Sequence, residues 1–228
     1  GQEHLLSEGA VLLKAIRSGR LPSMILWGPP GVGKTTLARV IAVEMGRSFI
    51  PLSAINSGVK DIRDAIDQAK KQRYFDRPGP ILFIDEIHRF SKSQQDSLLG
   101  AVEDGTVTLI GATTENPSFE VISALLSRSQ VYVLKPLDEE TMRKLIARAI
   151  SQDEELKKKK IIIEEDNALL QITGGDARKL LSALEIVTSQ DEEPIIINDE
   201  RVKEAIQQNI AFYDKGGDQH YDIISAFI

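Results

Sequence analysis

The sequence predicts an α/β fold in which helices cover both faces of a parallel five-stranded sheet, followed by a small all-helical domain. Three observations lead to this prediction. Short apolar runs alternate with amphipathic stretches up to residue 135, a glycine-rich loop directly follows the first apolar run, and only helical patterns follow Pro136. Strands that alternate with helices form parallel sheets that are buried on both faces.

The predicted strands are short apolar runs of the length typical of buried strands. The first run stops at Gly28, and Pro51 weakens the second because proline cannot donate a hydrogen bond to a sheet. The runs lie at residues 24–27, 48–52, 80–84, 107–111 and 131–134. Apolar positions at helical spacing predict the helices between them, at residues 34–46, 58–72, 93–102 and 121–126.

The pattern becomes helical throughout after Pro136. The acidic residues Asp138 and Asp199 are suited to cap the N-termini of two of these helices. The predicted helices lie at residues 138–151, 165–173, 176–188 and 199–209. We therefore predict a core domain over residues 1–135 and a helical domain over residues 136–210. We interpret the four lysines at 157–160 as a solvated linker between helices, with a DNA-contacting patch as the alternative.

The composition is that of an ordinary globular protein, with 228 residues, 42% hydrophobic and 27% charged. No apolar run approaches the roughly 20 residues of a membrane helix, and no signal segment opens the chain. The absence of cysteine excludes disulfides and Cys-based zinc sites and fits a reducing cytoplasm. The net charge of −6 is divided as +2 over residues 1–135 and −8 over residues 136–228, which does not describe a strongly basic nucleic-acid domain.

The glycine-rich loop from Gly28 to Thr35 fits the pattern G-x-x-x-x-G-K-[ST], which binds nucleotide phosphates. It leaves a predicted strand and opens a predicted helix, so its backbone N–H groups form an anion-binding nest. Lys34 adds a positive charge for the β- and γ-phosphates, and the Thr35 hydroxyl is placed to bind Mg²⁺. The nucleotide-binding candidates are Pro29, Pro30, Gly31, Val32, Gly33, Lys34, Thr35 and Thr36.

Two carboxylates end the apolar run before residue 85. Asp85 and Glu86 follow Lys34 by just over 50 residues, at the edge of a parallel sheet where ligands bind. We expect Asp85 to hold Mg²⁺ and Glu86 to act as the general base that polarises the attacking water. Surface charges at a strand end are the alternative interpretation.

Three further polar positions cannot be assigned from spacing alone. Thr113 and Thr114 end the fourth predicted strand near Asp85, where their hydroxyls could position water or the γ-phosphate, or simply end the strand. Arg128 and Arg178 each lie next to a predicted element, and spacing alone favours surface residues at both positions.

Several longer segments resemble a known family. They are residues 23–31 (SMILWGPPG), 85–96 (DEIHRFSKSQQD), 111–119 (GATTENPSF) and 213–222 (YDKGGDQHYD). They resemble AAA+ ATPases of the clamp-loader branch, and within it the replication-associated recombination protein A (RarA/MgsA) family. The chain departs from that family at Val32, where threonine is usual.

The resemblance implies roles that spacing does not. Thr114 matches the sensor 1 position, and Ser127-Arg128 matches the motif whose arginine reaches the ATP of the neighbouring subunit. Arg178, in the segment 175–178 (GDAR), matches the sensor 2 arginine of the lid domain, which contacts phosphate in its own subunit. Gln2 and His4 match the end of the segment that borders the adenine. The resemblance thus implies an AAA+ core with a helical lid and ATP bound between them.

The family resemblance also implies partners and a biological setting. Members of the family form homo-oligomers, commonly tetramers. Their partners are DNA with ends, gaps or forks and single-strand-binding protein, and their setting is the maintenance of stalled or damaged replication forks. Basic candidates for DNA contact are Lys60, Arg63, Arg89 and Lys92. We expect a fragment of a longer protein, with residues 211–228 starting an oligomerisation region and with slow hydrolysis of ATP in the fragment.

Three alternatives stay open at this point. A clamp-loader subunit and a Holliday-junction branch-migration motor would share every catalytic motif of the chain, although the longer segments argue against both. A scaffold that binds ATP without hydrolysing it would be expected to lose Lys34, Glu86 or the finger arginine, and all three are present.

Overall fold

The computed structural model of the chain describes residues 1–73, 79–189 and 194–214. It divides into two compact units, one formed by Gln2–Lys135 and one that begins at Pro136 and includes Gly1. Most of the predicted oligomerisation segment at residues 211–228 lies outside the described residues. Within the described part of the chain, no helix combines the length and apolar character needed to cross a membrane.

The first unit is built on the predicted parallel five-stranded sheet, which is confirmed. Its strands are β1 (Met24–Trp27), β2 (Phe49–Ser53), β3 (Ile81–Asp85), β4 (Thr108–Thr113) and β5 (Gln130–Val133). Their order in the sheet is β2-β3-β4-β1-β5, and every neighbouring pair is parallel. Pro51 therefore lies on an edge strand, where a missing N–H costs no ladder hydrogen bond.

Helices surround this sheet. They are α1 (Glu3–Leu6), α2 (Val11–Arg17), α3 (Lys34–Glu44), α4 (Val59–Arg73), α5 (Lys92–Asp96), α6 (Leu99–Glu103), α7 (Pro117–Glu120) and α8 (Ser123–Leu126), with a 3-10 helix at Ile87–Arg89. The single helix predicted at residues 93–102 is a pair of short helices, α5 and α6. The short helix predicted at residues 121–126 corresponds to α8. Neither α1 nor α2 was predicted from the sequence pattern.

Side chains of the central strands alternate between the two faces of the sheet. In β3, Leu82 and Ile84 join a core with α4, α6 and α8, whereas Ile81 and Phe83 join a second core with α2 and α3. Both faces are therefore buried, as the continuous apolar runs predict.

Arg47 forms hydrogen bonds at the N-terminal ends of β3 and β4. Its guanidinium donates to the carbonyl oxygens of Gly79 and Pro80, and its Nη2 lies 2.7 Å from the Thr108 Oγ1. Burial lowers the pKa of this guanidinium from its ordinary value. The starts of β3 and β4 are thus joined through one side chain that follows α3.

We expect Arg47→Met to lower the free energy of unfolding by about 1–3 kcal/mol, because partly buried carbonyls lose their donor. Urea denaturation monitored by circular dichroism measures this change. Arg17→Met is the control, since Arg17 forms an exposed ion pair with Glu8, a type of pair that contributes about 0–1 kcal/mol. Equal losses in the two variants would contradict the assigned role of Arg47.

The described residues of the second unit form four α-helices and differ from the prediction in one respect. The helices are α9 (Glu139–Gln152), α10 (Asn167–Thr173), α11 (Ala177–Thr188) and α12 (Asp199–Asp214), with a 3-10 helix at Leu156–Lys158. Two strands, β6 (Ile161–Ile163) and β7 (Ile195–Ile197), pair in parallel, so the unit is not all-helical. Each strand is an isoleucine triplet, a β-branched signal too short for periodicity to detect.

The run of lysines at residues 157–160 is also more ordered than the predicted solvated linker. Lys157 and Lys158 lie in the 3-10 helix, and Lys158 forms an exposed ion pair with Glu155. The Lys159 ammonium donates to the carbonyl oxygen of Thr188 at the end of α11. Lys159 therefore packs against the unit, whereas Lys157, Lys158 and Lys160 are exposed, as a solvated linker predicts. The run leads directly into β6.

Candidate nucleotide-binding site

The phosphate-binding candidate is the loop that joins β1 to α3. Gly31 and Gly33 have positive φ angles of 69° and 95°, and Gly33 is the residue at the N-cap of α3. A positive φ is accessible to glycine at little cost and is strained in other residues. No side chain caps the first turn of α3, and the backbone N–H groups of a helix N-terminus can bind an anion.

Lys34 lies at the first position of α3 with its side chain turned into the loop. The ammonium donates to the carbonyl oxygens of Gly28, at 2.7 Å, and Pro29, at 2.9 Å, and the residue is 7% exposed. Thr35 is half-buried and Thr36 is exposed, whereas Val32 is buried in the apolar core. Val32 therefore contributes its backbone to the loop, and its side chain stabilises the fold.

Gly28 marks the place where the loop passes close to the end of β5. A Cβ atom on Gly28 would lie 2.4 Å from the carbonyl oxygen of Leu134, which is backbone and cannot turn aside. The loop can leave the sheet at this point only because residue 28 has no side chain.

We expect Gly28→Ala to lower the free energy of unfolding by about 1–3 kcal/mol through overpacking and to weaken nucleotide binding by displacing the loop. Gly100→Ala is the matched control, because nothing lies within 4 Å of its Cβ position within α6. Alanine there should stabilise by about 0.5–1 kcal/mol. Urea titrations of both variants check the pair, and a neutral Gly28→Ala would contradict the close approach.

The carboxylates Asp85 and Glu86 lie at the C-terminal end of β3, as predicted. Asp85 is the last residue of that strand, and Ile84 pairs with Gly111 of β4, whose next residue Ala112 pairs with Leu26 of β1. The ends of β3, β4 and β1 are therefore level, with neighbouring strands about 5 Å apart. The sheet brings the two carboxylates to the edge from which the phosphate-binding loop leaves.

Glu86 has an unusual backbone. Its φ of 53° and ψ of 50° place it in the left-handed region, and it is the one non-glycine residue with positive φ in the described part of the chain. Such a conformation costs of order 1–3 kcal/mol and is found preferentially at functional sites. The Thr114 hydroxyl donates to the Glu86 Oε2 across 3.4 Å, which joins the predicted base to the predicted sensor.

His88 contacts the same carboxylate, a contact that the sequence pattern does not indicate. Its Nδ1 lies 3.2 Å from the Glu86 Oε2 and 3.0 Å from the Thr113 Oγ1. From the sequence, the place of His88 after the acidic pair predicts no more than a structural role. The only sequence signal was its position two residues beyond Glu86, which becomes informative once a 3-10 helix turns the chain back.

Arg128 lies on the surface, directly after the C-cap of α8. Its guanidinium is 2.5 Å from the Glu103 Oε1 and also donates to the Ala124 carbonyl and the Ser127 hydroxyl, with 40% of its side chain exposed. The preceding segment is anchored by Gln95, which is 1% exposed and bonds the Glu120 carbonyl and the Ile122 N–H. Arg128 is therefore exposed to solvent, and the segment that precedes α8 is held in place by Gln95.

Arg178 lies in the second unit, in the first turn of α11. Asp176 caps this helix by accepting hydrogen bonds from the N–H groups of Arg178 and Lys179. Gly175, with φ of 83°, packs so closely against Leu137 that a Cβ atom would lie 2.8 Å from its carbonyl oxygen. The backbone at residue 178 is therefore fixed within its unit, and its side chain is exposed.

Gln2 and His4 brace the first unit. The Gln2 amide bonds both backbone groups of Lys135 and lies 3.3 Å from the Val32 carbonyl in the phosphate-binding loop. The His4 Nε2 lies 2.9 Å from the Val133 carbonyl on the edge strand β5. Both side chains thus tie the N-terminal segment to the loop and to β5.

The comparison with protein families decides the affiliation of the chain. The family "ATPase family associated with various cellular activities (AAA)" matches residues 24–137, which is half of the chain. The chain belongs to the AAA ATPase family. A second family, "AAA C-terminal domain", matches residues 157–228 of this AAA ATPase. Membership implies nucleotide binding, in agreement with the loop between β1 and α3.

Individual relatives of this AAA ATPase confirm the resemblance that the longer motifs indicated. Replication-associated recombination protein A from Haemophilus influenzae is 48% identical over 99% of this chain, and the protein of that name from Escherichia coli is 46% identical over 99%. The chain spans about half of the length of these relatives, 52% in each case. The full activity and partners of such proteins are therefore matters for proposal.

A solved structure supports the same fold. A variant of RuvB from Thermotoga maritima matches with a TM-score of 0.73 and 28% identity, over 91% of this chain and 69% of that chain. Another structure of Thermotoga maritima RuvB, described as a Holliday junction branch migration motor, matches with a TM-score of 0.67 and 29% identity. The AAA fold predicted from the sequence is thereby confirmed.

Proposed function

We propose that this AAA ATPase hydrolyses ATP in a DNA-dependent manner and acts at stalled or damaged replication forks, in replication-associated recombination and repair. One observation carries the proposal. In a chain 46–48% identical to replication-associated recombination protein A, the loop, the acidic pair and Thr114 all lie at one edge of the sheet.

The phosphate-binding loop fits a nucleoside triphosphate. Its two left-handed glycines and the uncapped first turn of α3 supply donors to anionic oxygens. The Lys34 ammonium bonds two loop carbonyls and would exchange them for β- and γ-phosphate oxygens. Pro29 and Pro30 are exposed on the outer side of the loop, so they shape the loop without filling it.

The donor set fits Mg²⁺ held together with the nucleotide. A hydroxyl and a carboxylate, those of Thr35 and Asp85, are oxygen ligands that Mg²⁺ prefers, and it usually completes its shell with phosphates and water. No group of three or more His, Cys, Asp or Glu side chains among the described residues could hold a metal by itself. When bound, the ion neutralises charge on the phosphates.

The proposed reaction uses Glu86 as the general base. Its carboxylate accepts a proton from water while the water oxygen bonds to the γ-phosphorus and the bond to the bridging β–γ oxygen breaks. The products are ADP, which keeps that oxygen, and inorganic phosphate. Thr114, whose hydroxyl donates to the Oε2 of the same carboxylate, is proposed to sense the γ-phosphate.

Two arginines are proposed to complete the site. Arg128 is exposed at the end of α8, so it suits contact with the ATP of a neighbouring subunit in a homo-oligomer, proposed to be a tetramer. Arg178 is assigned by the family resemblance to the phosphates of its own subunit. Whether Gln2 and His4 also border the adenine remains a prediction.

DNA with ends, gaps or forks is the proposed activator, and single-strand-binding protein a further partner, in the cytoplasm. Lys60, Arg63, Arg89 and Lys92 are all exposed, and the Gln94 side chain bonds the Ser57 carbonyl, which joins α5 to the loop before α4. The exposed acids Asp61 and Asp64 alternate with the basic residues on α4, so the proposed contact is local.

A test uses ATP turnover of the full-length protein with forked, gapped, blunt and closed circular DNA. We expect ends, gaps or forks to stimulate turnover, closed circles to have little effect, and Lys34→Ala to remove turnover throughout. A rate that no DNA alters would contradict DNA dependence. Absence of turnover in the parent protein would instead favour a non-hydrolysing ATP-binding scaffold.

A second candidate is a Holliday-junction motor, which the fold likeness to RuvB favours. The two candidates separate in a branch-migration assay on a four-way junction. Two results together would favour the motor: movement of the junction, and stronger stimulation of ATP turnover by four-way junctions than by forks or gaps. The greater identity to replication-associated recombination protein A supports the first proposal.

A further inference from the structure

His88 is a half-buried histidine to which the mechanism above gives no role. It lies in the 3-10 helix that follows β3, and its side chain is 13% exposed. Its Nδ1 faces two oxygen atoms, the Glu86 Oε2 and the Thr113 Oγ1, at 3.2 and 3.0 Å.

The chemistry of these two neighbours assigns the proton on His88. Thr113 donates its single hydroxyl proton to the Glu115 carbonyl and accepts from the Glu115 N–H, so it faces the ring as an acceptor. An ionised carboxylate also only accepts. Both neighbours are acceptors, so Nδ1 carries the hydrogen and donates between them.

The contact has a consequence for the orientation of Glu86. His88 and Thr114 both approach Oε2, and neither contact involves Oε1. Donors on one oxygen hold the carboxylate in one rotation and leave the other oxygen to accept a proton from water. The His88 Nδ1 also contacts Thr113 at the end of β4. His88 therefore links the Glu86 carboxylate to the sheet, although the Glu86 backbone is strained.

We propose that His88 is a positioning residue for Glu86, which fixes the carboxylate through Nδ1 and so aligns Oε1 with the attacking water. The inference rests on the proposed ATPase function. It differs from a space-filling role, because it depends on a donor at one ring position.

Asparagine and glutamine distinguish the two nitrogens of the ring. The asparagine amide nitrogen lies at the position of Nδ1, whereas the glutamine amide nitrogen mimics Nε2. His88→Asn therefore preserves the proposed donor with less bulk, and His88→Gln fills the space without it. Both are compared with the parent for kcat, for KM, for ATP binding and for thermal unfolding.

We expect His88→Gln to lower kcat by about 10- to 100-fold, the scale of a misplaced catalytic group, with KM and ATP affinity little changed. His88→Asn should stay within about threefold of the parent. In a Glu86→Gln background, His88→Gln should cause no further loss, because the carboxylate that it positions is gone.

Three outcomes would overturn the assignment. They are an unchanged kcat in His88→Gln, equal losses in the asparagine and glutamine variants, and a full additional loss in the Glu86→Gln background. Turnover by the parent protein tests the proposed function separately, because an inactive parent contradicts ATP hydrolysis itself, whatever the His88 variants do.

Discussion

Replacing Arg128 by alanine is expected to slow ATP turnover of the oligomeric protein by about 10³- to 10⁵-fold, the range for an arginine supplied by a neighbour. The reason is electrostatic, since the guanidinium would stabilise charge that develops on the transferred phosphoryl group. ATP binding to the variant should change little, because the proposed contact stabilises charge that develops only in the transition state. Steady-state turnover and equilibrium binding of a fluorescent ATP analogue measure the two effects.

Two control variants separate this role from a local structural one. Glu103→Ala also breaks the ion pair of Arg128, whose partners have 40% and 48% of their side chains exposed. Arg17→Ala removes an arginine from another exposed ion pair, at 61% and 79%. If Glu103→Ala lost as much turnover as Arg128→Ala, the ion pair rather than the guanidinium itself would be the important feature.

Glu86→Gln is expected to lower kcat by about 10²- to 10⁴-fold, the contribution of a general base. The amide keeps the size of the side chain but cannot take a proton from water, so ATP should still bind. Glu115→Gln is the matched control, because Glu115 is an exposed carboxylate on the loop just after β4. Equal turnover in Glu86→Gln and the parent would dismiss Glu86 as the base.

The core of this protein could be predicted from its sequence because its strands are short, continuous and apolar. Residues 24–27 and 80–84 are buried on both faces, and such runs have few alternatives once helices alternate with them. The loop from Gly28 to Thr35 is a local motif, so its conformation depends on neighbours in sequence. Both features are determined at short range.

The remaining parts depend on contacts that are distant in sequence. The isoleucine triplets of β6 and β7 become strands only when they pair with each other, 34 positions apart in register. His88 becomes a neighbour of Thr113 only after β3 and β4 align in the sheet. Helical periodicity does not indicate the break between α5 and α6. Sequence patterns indicated where chemistry lies but not how the acidic pair is held.

The proposed contact of Arg128 with the ATP of a neighbouring subunit also could not be predicted from a sequence pattern alone. Spacing alone favoured a surface role for Arg128, and the residue is indeed exposed and paired with Glu103. Exposure is what a finger for another subunit requires, but many surface arginines share it. The family resemblance therefore carries that assignment, and an experiment on mixed subunits can test it.

ATP turnover by mixtures of two inactive variants of the full-length protein tests directly whether a neighbouring subunit completes the ATP site. Arg128→Ala subunits keep Glu86, and Glu86→Gln subunits keep Arg128, so a mixed oligomer contains some sites with both groups. We predict that mixing restores turnover to a substantial fraction of the parent rate, whereas each variant alone stays slow. A mixture that is no faster than its two components would contradict an ATP site completed by a neighbouring subunit.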